Sequence, residues 1–145
     1  MSSNLTASAV KYLGIDYGAK RIGIALSDER GSFAFPRETI PNDVSAIDRI
    51  LALVRTEEVA VVVMGDTQAL NGVDNPITEK AEYFAQALST HLAQPIVRVR
   101  EGWSSVEAGR YAPKGKQHDD ASAAAIILQR HLDTVSKPLP DTDMI

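Results

Sequence analysis

The feature that most constrains the fold is the run Val59–Met64, VAVVVM. Six apolar, mostly β-branched residues in a row leave no polar face. A strand of this kind must be covered on both sides, as in a parallel sheet. Parallel neighbours need long crossovers, usually helical, and these are right-handed in nearly all cases. The flanking segments supply them. Ile47, Ile50, Leu51 and Val54 repeat at helical spacing behind the helix-start signal Asn42-Asp43, which predicts a helix over about 44–56. Asn75-Pro76 places an N-cap residue before a proline at the first helical position. The stripe Ile77, Ala81, Phe84, Ala85, Leu88 and Leu92 carries that second helix to about 93. A short strand, Ile96–Arg100, follows Pro95.

The amino-terminal third reads differently. In 11–17, Leu13 and Ile15 share one face while Tyr12, Gly14 and Asp16 share the other. Residues 21–28 alternate again, Ile22, Ile24 and Leu26 against Gly23, Ala25 and Ser27, after a turn at Gly18–Lys20. This is a hairpin pattern. A third strand is expected near Ser32–Glu38, with Pro36 marking an edge or an end. A short helix is expected at Val106–Tyr111, a basic loop at Pro113–Gln117, and a final helix from Asp119 or Asp120 to about Thr134. The fold class is α/β, one mixed sheet: an antiparallel three-strand meander, then βαβαβ crossovers, with helices on both faces.

The chain has 145 residues, which suits a single domain with a core of its own. Residues 1–10 are expected to be a flexible N-terminus, 11–134 the domain, and 135–145 a tail. There is no cysteine, so disulfide and thiolate chemistry are excluded. No apolar run approaches membrane-spanning length, and the first ten residues lack a signal-peptide pattern. A cytoplasmic location is expected. The net charge of −4 argues against a general nucleic-acid coat, yet Lys and Arg gather in Lys20–Arg37, Arg98–Arg110 and Lys114–Lys116. A basic face on an acidic protein is therefore compatible with this charge.

Three carboxylates stand where packing does not call for them. Asp16 lies late in the first strand, opposite the Leu13 and Ile15 face, in a position strands disfavour for Asp. Glu101 follows the last strand. Asp120, with Asp119 beside it, opens the last helix. In open α/β sheets chemistry collects at the carboxyl ends of strands, and a helix start brought to that edge would complete an acidic cluster. Crowded carboxylates repel and one pKa rises, unless divalent cations neutralise them. Mg²⁺ prefers such oxygen ligands, and two ions suit phosphodiester cleavage. Each residue taken singly also has a plain reading: Asp120 as a cap, Glu101 as a solvated loop residue, Asp16 as a turn residue. Trp103 could pack or stack, and His118 reads as a surface residue.

The segment GIDYGAKRIGIALSDERG, Gly14–Gly31, resembles the opening signature of the YqgF/RuvX family. Further matches are VVVMG at Val61–Gly65 with Asn71-Gly72 beyond it, the Glu and Ser-Ser-Val-Glu-Ala of Glu101–Ala108, and DDASAAAIILQRHLD at Asp119–Asp133. They run in order from about 11 to 134. Members are RNase H-like proteins described as Holliday junction resolvases or as nucleases that mature the small-subunit ribosomal RNA precursor. The resemblance implies an RNase H-like fold. It places the family's catalytic and metal-binding acids on Asp16, Glu101 and Asp120, with Asp119 as a further ligand, and implies Mg²⁺ or Mn²⁺, two ions with substrate bound. The offsets of Ala123, Ala124, Leu128 and Gln129 select Asp120 over Asp119. The family's Asp-Glu-Arg triplet reads Arg100-Glu101-Gly102 here, and its Gly-x-Pro reads Gly65-Asp66-Thr67, departures that bear on substrate contacts.

The nucleic-acid contacts expected are Lys20, Arg21, Arg110, Lys114 and Lys116. The partner is a ribosomal RNA precursor or branched DNA, and the acids are the same for both. Monomer and homodimer remain open. Two other classes also stay open: an actin-like nucleotide-binding module, which Asp16-Tyr17-Gly18 fits but the short chain does not, and a noncatalytic RNA-binding or ribosome-assembly factor.

Overall fold

A computed structural model describes residues 10–66, 76–100 and 120–136. It contains strands β1 (Tyr12–Tyr17), β2 (Arg21–Ser27), β3 (Ala34–Pro41), β4 (Val61–Asp66) and β5 (Ile96–Arg100). The helices are α1 (Ala46–Thr56), α2 (Pro76–Ser89) and α3 (Asp120–Ser136). The five strands form one sheet in the order β3-β2-β1-β4-β5. β1 pairs antiparallel with β2, and β2 with β3. β1 and β4 run parallel, as do β4 and β5. The mixed sheet expected from the alternating meander and the β-branched run is thus the one observed.

Alternation along β1 and β2 divides the side chains between two layers. Leu13, Ile15, Ile22 and Ile24 point to the α1 and α2 face, where they pack with Ile50, Val54, Ala81 and Leu88. Ala25 and Val63 point to the other face, under Ala124, Ile127, Leu128 and Leu132 of α3. Val62 and Met64 join the first layer, so β4 is covered on both sides as its sequence demands.

Several boundaries shift from the expected ones, each for a local reason. β3 spans Ala34–Pro41 rather than 32–38, because Ser32 and Phe33 are held in the preceding turn, where both backbone N–H groups donate to Asp28 Oδ1. Its edge position matches the expectation from Pro36. Asp43 does not begin the first helix. Its carboxylate accepts bonds from the N–H and hydroxyl of Ser45, and Ser45 is the N-cap. β4 starts two residues later than the apolar run and continues through Gly65 and Asp66, because β5 pairs alongside to its end. α2 stops at Ser89, and Leu92 reaches the core from the turn that follows. α3 runs to Ser136, two residues past the expected end. The expected helix at 106–111 and loop at 113–117 lie outside the described residues.

Candidate active site

β1, β4 and β5 are parallel, so their carboxyl ends, at Tyr17, Asp66 and Arg100, fall on one edge of the sheet. The turn between β1 and β2 stands at the same edge. It is tight: a Cβ on Gly18 would lie 2.5 Å from the Arg21 carbonyl oxygen. Asn42 fastens it. Its Nδ2 donates to the Gly18 carbonyl at 2.8 Å, and its N–H donates to the Lys20 carbonyl at 2.9 Å. Lys20 and Arg21 are thereby held at the carboxyl end of β1, both exposed.

Asp16 pairs in register with Gly23 across the antiparallel ladder. Directly opposed residues put their side chains on the same face, so Asp16 shares the α3 face with Gly14 and Gly23. α3 lies on that face at very short range. A Cβ at Gly14 would come 2.9 Å from Leu128 Cβ. A Cβ at Gly23 would collide with the backbone carbonyl of Asp120. The first residue of α3 therefore sits on the strand position that pairs with Asp16. A glycine at position 23 leaves space for the helix end that carries Asp120, about a hundred residues along the chain from Asp16, against the strand position paired with Asp16.

Asp120 opens α3, a position where the helix dipole favours an anion. Its Oδ2 accepts a 2.9 Å bond from Arg21 Nε, with side-chain exposures of 27% and 65%. Arg21, expected as a phosphate contact, is in this structure the counterion of a site acid. The bond shows Asp120 Oδ2 within reach of a cation. Asp16 and Asp120 offer hard oxygen donors of the kind Mg²⁺ takes. Among the described residues no three His, Cys, Asp or Glu side chains form a metal-binding group. Glu101, Asp119, Arg110, Lys114 and Lys116 lie outside the described residues, as do Trp103 and His118.

Residues beyond the expected set also shape the site. β4 ends in Gly65-Asp66, and Asp66 pairs in register with Arg100. Alternation from Met64 turns Asp66 to the α2 face, away from Asp16, so proximity in the edge does not make it a third acid. Gln129 clips α3 to the meander: its Oε1 accepts from Ala34 N–H at 2.9 Å and its Nε2 donates to Ser32 carbonyl oxygen at 3.1 Å. The fixed offset from Asp120 to Gln129 is the signal that could have identified this role, since about two and a half helical turns separate the start of α3 from the clip.

A mixed sheet of this order with helices on both faces is the RNase H-like fold. The fold of Thermus thermophilus RuvC, solved in complex with Holliday junction substrate, matches with a TM-score of 0.60 at 11% identity, over 88% of this chain and 96% of that one. The sequence profile of RuvX, described as Holliday junction resolvase, matches residues 10–134. The chain belongs to the RuvX family. A relative from Maridesulfovibrio salexigens, named "Putative pre-16S rRNA nuclease", is 34% identical over 132 residues, 85% of this chain and 98% of its own. One of the same name from Clavibacter michiganensis is 39% identical over 132 residues, 84% of this chain and 82% of its own.

Proposed function

We propose that the protein is a divalent-metal-dependent endonuclease that hydrolyses phosphodiester bonds in structured nucleic acid, and that its substrate is the 5′ end of pre-16S ribosomal RNA. The observation that carries this reading is the placement of Asp120 on Gly23, the register partner of Asp16. The RNA assignment rests on the names of the relatives.

Asp16 and Asp120 supply carboxylate oxygens for Mg²⁺ or Mn²⁺, with Glu101 and Asp119 completing the set. When bound, two such ions activate a water for attack on phosphorus and stabilise the leaving oxygen. The rest of the work falls to the chain. Asp16 is fixed by the β1–β2 ladder, and Asp120 by the packing of α3 on Gly14 and Gly23. Arg21 pairs with Asp120 and would be available to a phosphate oxygen were that carboxylate to hold a metal ion. Lys20, on the turn pinned by Asn42, contacts the flanking phosphate, and Arg110, Lys114 and Lys116 are further phosphate contacts of the substrate. Such contacts release counterions, so affinity should fall with salt.

A second reading, cleavage of four-way DNA, is favoured by the description of the family and by the RuvC likeness of the fold. Symmetric cutting of two strands would call for a two-fold dimer, whereas trimming of an RNA end needs one copy. The deciding experiment is a Mg²⁺- or Mn²⁺-dependent cleavage assay on pre-16S RNA and a four-way junction, with wild type and Asp16→Asn. Metal-dependent cutting of the RNA alone, lost in the variant, supports the first reading. Cutting of the junction alone selects the second. Binding without cleavage of either, unchanged by Asp16→Asn, would assign the chain to ribosome assembly as a noncatalytic factor.

A further inference from the structure

The same edge of the sheet carries a second feature, on the side away from Asp16. Tyr17 is next in the strand, so its ring turns to the α2 face. It meets Phe84 at a centroid distance of 5.0 Å and an interplanar angle of 46°. A cleft of about 550 Å³ opens beside this pair, walled also by Asn42, Ile47, Lys80 and Tyr83. Tyr83 is 78% exposed. Helix packing does not need that ring, because α2 buries Ala81, Phe84, Ala85 and Leu88 instead. The cleft adjoins the turn bearing Lys20 and Arg21: Asn42, in its wall, is the residue that pins that turn.

We propose that this cleft is a stacking subsite for an unpaired base of the strand that flanks the cleaved bond. This deepens the nuclease reading and rests on it. Tyr83 and Tyr17 supply the π faces, on which any base can stack. Lys80 and Lys20 stand at the cleft and at the adjoining turn as cations for the phosphates on either side of the base. Glu79, also in the wall, can accept a bond from an exocyclic amine. A single strand crossing the sheet end from the Asp16 side reaches the cleft by passing the β1–β2 turn. Two tyrosines beside lysines, one residue along the strand from an active-site acid, suit a nucleotide better than an aliphatic side chain. The subsite thus selects substrates with a single-stranded flank over fully paired ones.

The test uses the full chain, without divalent metal so that nothing is cut. The probes are an RNA hairpin with a single-stranded extension carrying 2-aminopurine, the same extension in DNA, and a blunt hairpin. Wild type should bind the extended hairpin more tightly than the blunt one and quench the 2-aminopurine. Tyr83→Ala should weaken binding of the extended hairpin by roughly tenfold, as expected for loss of one stacked base, and leave the blunt hairpin unchanged. Tyr83→Phe should bind like wild type, since the ring is kept. Tyr83 is largely in water, so the variants should fold, and circular dichroism checks this. Equal affinity of wild type and Tyr83→Ala for the extended probe, with quenching intact, would overturn the subsite and leave the cleft to a protein side chain. Failure of wild type to bind any of the probes would instead overturn the nuclease reading, and the subsite with it.

Discussion

The two faces of the sheet solve different problems. On the α1 and α2 face the strands present Leu13, Ile15, Ile22, Ile24 and Met64, all completely buried. On the α3 face β1 and β2 present Gly14, Gly23 and Ala25, with Asp16 among them. Large aliphatic side chains fill volume and supply most of the hydrophobic stabilisation. Small ones bring a helix backbone against a strand. The first face takes the large side chains of the meander, and the second lets the start of α3 lie against the strand position paired with Asp16. Alternation along a single strand is enough to keep the tasks apart, so a change to one should leave the other standing.

The strongest challenge to that division uses neighbours in β1. Ile15→Ala removes a fully buried side chain and should cost about 2–5 kcal/mol of stability. Cleavage per folded molecule should persist at temperatures well below the new transition. Asp16→Asn should do the reverse. Cleavage should fall by at least about a thousandfold, or about 4 kcal/mol of transition-state stabilisation. Unfolding in chelator should change little or shift upward, because a charge is removed from a crowded site. Added Mg²⁺ should raise the melting temperature of wild type more than that of the variant. Equal metal-induced shifts would remove Asp16 from the ligand set.

Gly23→Ala tests whether small residues really set the geometry. The added Cβ meets the Asp120 carbonyl, which is backbone and cannot rotate away. α3 must lift at its start, at a cost of about 1–3 kcal/mol. The informative comparison is with Ile15→Ala at matched stability. Gly23→Ala should lose the Mg²⁺-dependent rise in melting temperature and the cleavage together, whereas Ile15→Ala should lose neither. A Gly23→Ala protein with normal metal response would mean that the close approach of α3 is packing alone.

How much of this was legible in the sequence follows from the same contrast. Period-two and period-3.6 patterns report burial, so the meander, the parallel strands and the stripe of α2 could be read directly. Ends could not, because they depend on partners: β4 reaches Asp66 only because β5 lies beside it, and α1 begins at Ala46, behind the N-cap Ser45 to which Asp43 bonds. Asp16 and Asp120 were identifiable as misfits to packing and by family resemblance. The approach of the α3 start to the strand position paired with Asp16 was not, since it depends on Gly23, whose contribution is the absence of a side chain. The bond from Arg21 to Asp120 was equally hidden, because a basic residue near a proposed phosphate site reads as a phosphate contact until its neighbour is seen. Tyr83 was legible only as a position left off the apolar stripe.

A smaller effect is expected where neither face is involved. Asp28, in the turn between β2 and β3, accepts N–H bonds from Ser32 at 2.7 Å and Phe33 at 3.0 Å. The Phe33 N–H foremost, with help from Ser32, holds its carboxyl below the usual carboxylate range, 3.8 for an unperturbed Asp. A depressed folded-state pKa means that the stabilisation is full above the unfolded value and is lost as pH falls through the folded one. Asp28→Ala should therefore cost about 1 kcal/mol near neutrality, and the difference from wild type should shrink below about pH 4. Chemical denaturation from pH 7 down to pH 3 reads this out. A difference that stays constant over that range would assign the cost to the backbone of the turn rather than to the charge. Metal response and cleavage should not change, since Asp28 lies outside the site.

The least costly change in stability should be the sharpest probe of the second face. The Arg21–Asp120 pair is largely exposed on the arginine side, and exposed pairs contribute about 0.2–1 kcal/mol. Arg21→Ala should therefore melt within a few degrees of wild type. Its effect on the site should be larger and of opposite sign for the two ligands. With the guanidinium gone from Oδ2, a divalent ion no longer competes with a resident cation, so the Mg²⁺ concentration giving half the thermal shift should fall severalfold. Nucleic-acid affinity should weaken, and its dependence on log salt should flatten by about one unit, the loss of one phosphate contact. Arg21→Lys separates charge from geometry. It keeps the cation but not the planar fork, so its salt slope should stay near wild type. If metal and nucleic acid both bind Arg21→Ala as they bind wild type, Arg21 serves only to dock α3 on the hairpin.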